Sequence, residues 1–172
     1  GAAGTIGSID AWIGDAGPNN GVFDGFNGTL SWALYSDSAG DPGTLIASGS
    51  DTTPKVLDSG LDMIGDRDVA RVRIELSPRP TLAAGTWWLV LHEGAWASPG
   101  DAGSNIFWSK SSSLLYSTSR YSYNVTNPGS WSELFSDADL AFVLFNDSIF
   151  ASGFDSGGTC AWSAVVGGAT CP

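Results

Sequence analysis

The chain has 172 residues, 42 % of them hydrophobic, which suits one domain with a substantial core. Its formal charge is −11, with two Lys and five Arg against fifteen Asp and three Glu; this excludes a nucleic acid or an anionic membrane as a charge-held partner. No run approaches the roughly 20 apolar residues that cross a bilayer, and an excess of Asp over Glu favours turns over helices.

The opening residues Gly1-Ala2-Ala3-Gly4 carry neither an initiator Met nor a signal peptide, which we read as a processed or trimmed product. Thr5 to Gly14 alternates, with Ile9, Ala11 and Ile13 on one face and Asp10 and Trp12 on the other, as in a half-buried strand. After a long Gly/Asn loop, Gly28 to Ser36 is a second strand with Leu30, Trp32 and Leu34 facing in. The turn residues from Asp37 to Gly43 join it to a third strand, Thr44 to Ser50, as a hairpin. Residues 51–68 read as irregular and acidic. Val69 to Leu76 alternates again, with Ala70, Val72, Ile74 and Leu76 inward and Arg71, Arg73 and Glu75 outward. Ser77-Pro78-Arg79-Pro80 then ends pairing, because proline has no N–H to donate.

Gly85 to Gly94 holds the run Trp87-Trp88-Leu89-Val90-Leu91-His92. A continuous apolar stretch of this length reads as a strand buried on both faces and central in its sheet, with Trp87, Leu89 and Leu91 opposed to Trp88, Val90 and His92. Asn105 to Ser109 is a short strand, Tyr121 to Val125 a weaker one, and Asp139 to Phe145 a last strand apolar on both faces. No helical periodicity appears. The expected architecture is an all-β, two-sheet antiparallel β-sandwich, jelly-roll-like, over residues 1–147, followed by a tail over 148–172.

Three kinds of chemistry bear on these residues. His92 is the sole histidine, and it has neither a Gly-x-Ser-x-Gly elbow nor a second histidine at zinc-protease spacing to work with. Glu93 and Glu133 form a nominal glycosidase pair, but any acidic chain supplies such pairs. We therefore read a non-catalytic protein. Calcium is the most plausible ion, through oxygen ligands from Asp15 and Asp24, from Asp62, Asp66 and Asp68, and from Asp137 and Asp139. The alternative is that these are solvated turn aspartates, since no twelve-residue calcium loop is present. Trp32, Trp87 and Trp108 sit where a core would claim them. Trp12, Trp96, Trp131 and Trp162 are candidates for exposure, and Trp96 and Trp131 are the nominated sugar-stacking pair. Core packing is the competing reading for these rings.

The segment from Ser36 to Ala47, together with Leu82-Ala83-Ala84-Gly85-Thr86-Trp87-Trp88-Leu89 and Asp139 to Phe145, resembles secreted bacterial domains of the choice-of-anchor and PEP-CTERM-associated kind. Ile149 to Gly157 with Trp162-Ser163 is similar to a short C-terminal appendage of secreted bacterial proteins, with Ser152 and Asp155 departing from its usual residues. The resemblance implies a β-sandwich exported to the cell surface or medium, in a family whose molecular function is largely unassigned, and supplies no catalytic or ligand residues. Taken with the acidic, Lys-poor composition and the lack of an active-site motif, it points to a non-catalytic structural or adhesive protein of a bacterial surface or matrix. A carbohydrate-binding module is the alternative, with polysaccharide as its partner. Domains of this kind carry a strand ahead of the one at residues 5–14. Its absence would leave one sheet with a bare edge, open to β-strand addition by another copy, with Ile149, Phe150 and Phe154 of the tail as donor.

Cys160 and Cys171 are the only cysteines and lie eleven positions apart near the end of the chain. In an oxidising compartment they are expected to form a local disulfide, stabilising the tail by about 3 kcal/mol or less. Intact mass before and after reduction and alkylation checks this: the native protein should offer no alkylatable thiol, and reduction should expose two.

Overall fold

The computed structural model describes residues 3–15, 20–63, 67–96, 106–109, 119–121, 131–135 and 140–146. Among them there is no helix. The strands are β1 (Gly4–Asp15), β2 (Leu30–Ser38), β3 (Asp41–Asp51), β4 (Lys55–Met63), β5 (Arg67–Glu75), β6 (Thr81–Leu82), β7 (Trp87–Glu93), β8 (Ile106–Trp108), β9 (Ser119–Tyr121), β10 (Ser132–Phe135) and β11 (Phe142–Asn146). A six-stranded sheet runs β11-β1-β5-β4, with β6 and β8 also paired to β1. A three-stranded sheet runs β3-β2-β7, and β9 pairs with β10. All pairings are antiparallel, and the two larger sheets pack face to face as a β-sandwich. The described strands fall within residues 1–147; residues 148–172, with Cys160 and Cys171, lie outside the described residues.

The alternation of each strand makes the core. Ile6, Ile9, Ala11 and Ile13 of β1 and Ala70, Val72 and Ile74 of β5 meet Leu30, Trp32 and Leu34 of β2, all buried. Each wholly buried aliphatic side chain contributes roughly 1.5–3 kcal/mol, so this layer dominates the stability of the fold. Trp87, Leu89 and Leu91 of β7 pack against the same layer, on the face expected of them.

Four expectations need correction. First, β1 is not half-buried: Asp10, on its outer face, is only 2 % exposed. Arg73 donates to it through Nε at 2.6 Å and Nη2 at 2.8 Å, and Arg71 Nε lies 3.6 Å away. This fork is the strong geometry for a carboxylate, and its hydrogen bond to Asp10 pushes the Arg73 guanidinium above its usual range. Second, β1 is no edge. It pairs with β5 along one side and with β8 and β11 along the other, so a bare edge does not fall at residues 5–14. The tail after Asp147, the expected donor, lies outside the described residues.

Third, the run at 87–93 is not central. Among the described residues β7 pairs only with β2, which occupies the middle of the smaller sheet and is buried on both faces. Fourth, residues 51–68 contain a full strand, β4, and the start of β5. A register shift between Asp58 and Leu61 interrupts the period-two pattern, which is why the strand does not read as one.

The β2–β3 hairpin closes with Ser38 opposite Asp41, leaving Ala39 and Gly40 as a two-residue turn, both at positive φ (56° and 89°). This twist matches that of the flanking strands. Farther along the hairpin Trp32 lies opposite Gly49. A Cβ on Gly49 would stand 2.8 Å from the Ser77 carbonyl oxygen and 3.0 Å from the Trp32 indole. The indole, wholly buried, has room only because this position has no side chain. Gly49→Ala is therefore expected to lower stability by about 1–3 kcal/mol, measured as a shift of the urea midpoint at unchanged slope.

Candidate functional site

The two faces of β2 and β7 serve different ends. Leu30, Trp32 and Leu34 with Leu89 and Leu91 face the core, whereas Ala33, Tyr35 and Val90 form a second buried cluster on the outside of the smaller sheet. Trp88, Trp96 and Trp131 pack against that second cluster and are half-buried. The two tryptophans nominated from sequence, 35 residues apart in the chain, thus come to one face. Trp131 meets Tyr35 edge-on, with ring centroids 5.6 Å apart and planes at 77°, a favourable arrangement for two aromatic rings.

Register orders this face into rows. Tyr35 lies between Leu45 and Trp88, Ala33 between Ser48 and Val90, and Ser31 between Ser50 and His92. The small residues Ala33 and Ser31 in the middle strand leave space for the rings above them. At one end the Trp88 indole N–H donates to Asp37 Oδ1 at 2.9 Å, while the Gly40 N–H donates to the other oxygen of the same carboxylate at 3.3 Å. Asp37 therefore ties the ring to the hairpin turn.

At the other end the hydroxyls form a directed relay. Ser31 Oγ, buried, donates to the Gly94 carbonyl at 2.6 Å. Its bond to Ser50 Oγ at 2.7 Å must then be donated by Ser50, and Ser50 in turn accepts the Trp96 main-chain N–H at 3.0 Å. The Trp96 backbone is thereby anchored directly to β3, and through Ser50 to β2. Neither serine stands out in sequence, nor do Tyr35 and Trp88; a strand buried on both faces is the signal that finds them.

The nominated aspartates divide. Asp15 is wholly buried, and its Oδ2 accepts the N–H groups of Asp24 and Gly25, both at 2.9 Å. Asp68, also buried, accepts Asn20 N–H at 3.0 Å and Gly21 N–H at 3.1 Å, one on each oxygen. The exposed Asp24 accepts the Asn20 side-chain amide at 3.1 Å. Gly14 pairs with Val69 and Asp62 with Asp68, so Asp15, Asp68 and Asp62 occupy the same end of adjacent strands. The loop aspartates of two distant segments do converge, but what Asp15 and Asp68 hold is the backbone of residues 20–25. Among the described residues no three acidic, histidine or cysteine side chains gather as a metal-ligand set. Asp66, Asp137 and Asp139 lie outside the described residues.

His92 and Glu93 point to opposite faces of β7. Opposite Leu30, the buried Glu93 carboxylate accepts the Asn27 N–H at 2.8 Å, so a third acid holds the same loop.

Burial raises the Tyr35 phenol above its ordinary value of 10.0. The folded state thus keeps the proton where the unfolded chain has lost it. The stability this contributes is intact below about pH 10 and falls as pH rises toward the folded value. Urea midpoints measured across this alkaline range should decline for the parent, and Tyr35→Phe should remove part of that decline, leaving the share of the other three tyrosines.

Comparison with known proteins returned no matching family model, no matching curated sequence and no matching solved structure.

Proposed function

We propose that this chain is a non-catalytic adhesive module of a bacterial extracellular surface or matrix, and that it holds neutral saccharide chains on the outer aromatic face of its smaller sheet. The observation that carries the reading is the gathering of Tyr35, Trp88, Trp96 and Trp131 on one face, with hydroxyls at one end and the Asp37 carboxylate at the other. Sugar rings present flat C–H faces to aromatic rings and hydroxyls to the polar groups around them. Such a platform works best when its rings are fixed in advance: a hydrogen bond ties the Trp88 indole and a ring contact ties Trp131, while Trp96 is held by its main-chain N–H. The charge of −11 disfavours uronate or sulfated chains, which leaves neutral ones.

Ser31 sends its proton to the Gly94 carbonyl although His92 lies directly across from it, which favours a binding face over a nucleophilic site. The extracellular placement draws on the acidic, Lys-poor composition and on the resemblance to exported β-sandwich domains. Titration of tryptophan fluorescence with a panel of neutral and anionic polysaccharides tests the proposal. Neutral chains should bind, and Trp96→Ala and Trp131→Ala should each weaken binding about tenfold, since one such ring contact is worth roughly 1.4 kcal/mol. Absence of binding across the panel, or binding unchanged in both variants, would refute it.

A further inference from the structure

We propose that β11 is an association edge, and that its occupant is the β11 strand of a second copy, paired antiparallel about a two-fold axis. The strand ends the order β11-β1-β5-β4, and among the described residues it pairs with β1 alone. The main-chain directions follow from the neighbours of β1. Trp12 donates its N–H to the Ala141 carbonyl and accepts from Ser109 N–H, whereas the Gly7 carbonyl accepts from Leu76 N–H on the β5 side. From Ser8 to Trp12, past the irregularity at Ile6, the even-numbered residues of β1 therefore address β11. Asp10 lies opposite Val143, so Val143 turns its N–H and C=O inward, and Phe142 and Leu144 turn theirs outward.

The side chains are as open as the backbone. Phe142, Val143, Leu144 and Phe145 are 40, 44, 42 and 37 % exposed. Four consecutive uncharged, β-prone residues on an edge are what proteins ordinarily avoid. The outer strands β3 and β4 carry charges or proline: β3 has Asp41, Pro42 and Asp51, and β4 has Lys55, Asp58 and Asp62. The outer strand β7 is apolar too, but its side chains are half-buried or buried, whereas those of β11 are exposed. The difference marks β11 as an edge kept open for pairing.

A second copy fits for two reasons. Antiparallel pairing about a two-fold brings like faces together, so Val143 and Phe145 of one copy meet the same residues of the other, as do Phe142 and Leu144. And in a molecule of net charge −11, copies approach most easily where charge is absent. On the scale of 150–250 Å² for a whole aromatic side chain, the exposed parts supply on the order of 300 Å² per copy. That is below the roughly 800 Å² per partner of a standard stable interface, so the association is weak and concentration-dependent. It rests on the larger sheet alone and stands or falls independently of the saccharide reading.

Sedimentation velocity on the full chain, over a range of protein and salt concentrations, tests it together with amide exchange at low and high protein concentration. A monomer–dimer equilibrium is expected, strengthened by salt as like charges are screened. In the dimer, exchange should slow at the Phe142 and Leu144 amides more than at Val143. Leu144→Pro removes an outward donor and none of the inward ones, and Val143→Lys places a cation in the paired face. Each should weaken dimerisation at least tenfold. If circular dichroism shows Leu144→Pro misfolded, Val143→Lys carries the test. A chain that stays monomeric throughout overturns the proposal, as does association undiminished in the folded variants or protection falling on β3 or β4.

Discussion

The larger sheet depends on the ion pair between Asp10 and Arg73. The carboxylate sits in mid-strand on β1, almost wholly buried, and takes both arms of the guanidinium from β5. The same guanidinium lies 4.6 Å from the centre of the Phe145 ring on β11, so one contact spans three neighbouring strands. A pair of this kind adds little net stability, because desolvation offsets most of the attraction. Its effect is on register. Side chains alternate, so a one-residue slip of β5 would put Arg73 in the core and Val72 outside, leaving Asp10 buried with no counter-charge. With β1 and β5 locked, β1 has both sides available in known register, and β6, β8 and β11 all pair with it.

In the smaller sheet β2 has the same central place but a different solution. Its core face is Leu30, Trp32 and Leu34; its outer face is Ser31, Ala33 and Tyr35, equally buried. An outer face made of small and hydroxyl-bearing residues does not cover itself. The cover comes from Trp88 on the neighbouring strand and from Trp96 and Trp131, which lie beyond the sheet's own strands. Asp37 holds the Trp88 indole at one end and Ser50 holds the Trp96 backbone at the other, so the half-buried cover is tied to the sheet at both ends.

Much of this was legible in sequence wherever alternation was clean. The inward set of β5 and of β2, the opposed faces of β7 and the existence of the β2–β3 hairpin follow directly from period two and from turn chemistry, although its turn is only Ala39-Gly40 and Asp41 to Gly43 belong to β3. What failed is instructive. The runs 87–93 and 139–145 look alike as sequence, both apolar on alternate and intervening positions, and both invite burial. Yet β7 is covered on its two faces by the core and the tryptophan cluster, whereas residues 142–145 of β11 are exposed. Apolar character on both faces records what a strand can bury, not whether the fold supplies a neighbour. Strand β4 was invisible because its register shift breaks the alternation. Tyr35 and the serines were missed because each is unremarkable until β2 is known to lie between two strands. The pairing of Trp96 with Trp131 was nominated on composition; that they share a face is a property of topology.

The buried acids complete the picture of an acidic protein that is not simply acid-coated. Asp10, Asp15, Asp68 and Glu93 are all buried, and each has donors aimed at it. For Asp10 the donor is a guanidinium; for the other three it is main-chain N–H. The segment 20–29 leads from the larger sheet to the start of β2 in the smaller one, and its main-chain amides need acceptors. Asp15 and Asp68 take those amides from the larger sheet and Glu93 takes one from the smaller, so the crossing is stitched to both layers while Phe23 and Phe26 close over the core. A cation at Asp15 or Asp68 would compete with donors already in place. At these positions the carboxylates act as anchors: Asp15 and Asp68 each accept two main-chain N–H groups of the segment they hold.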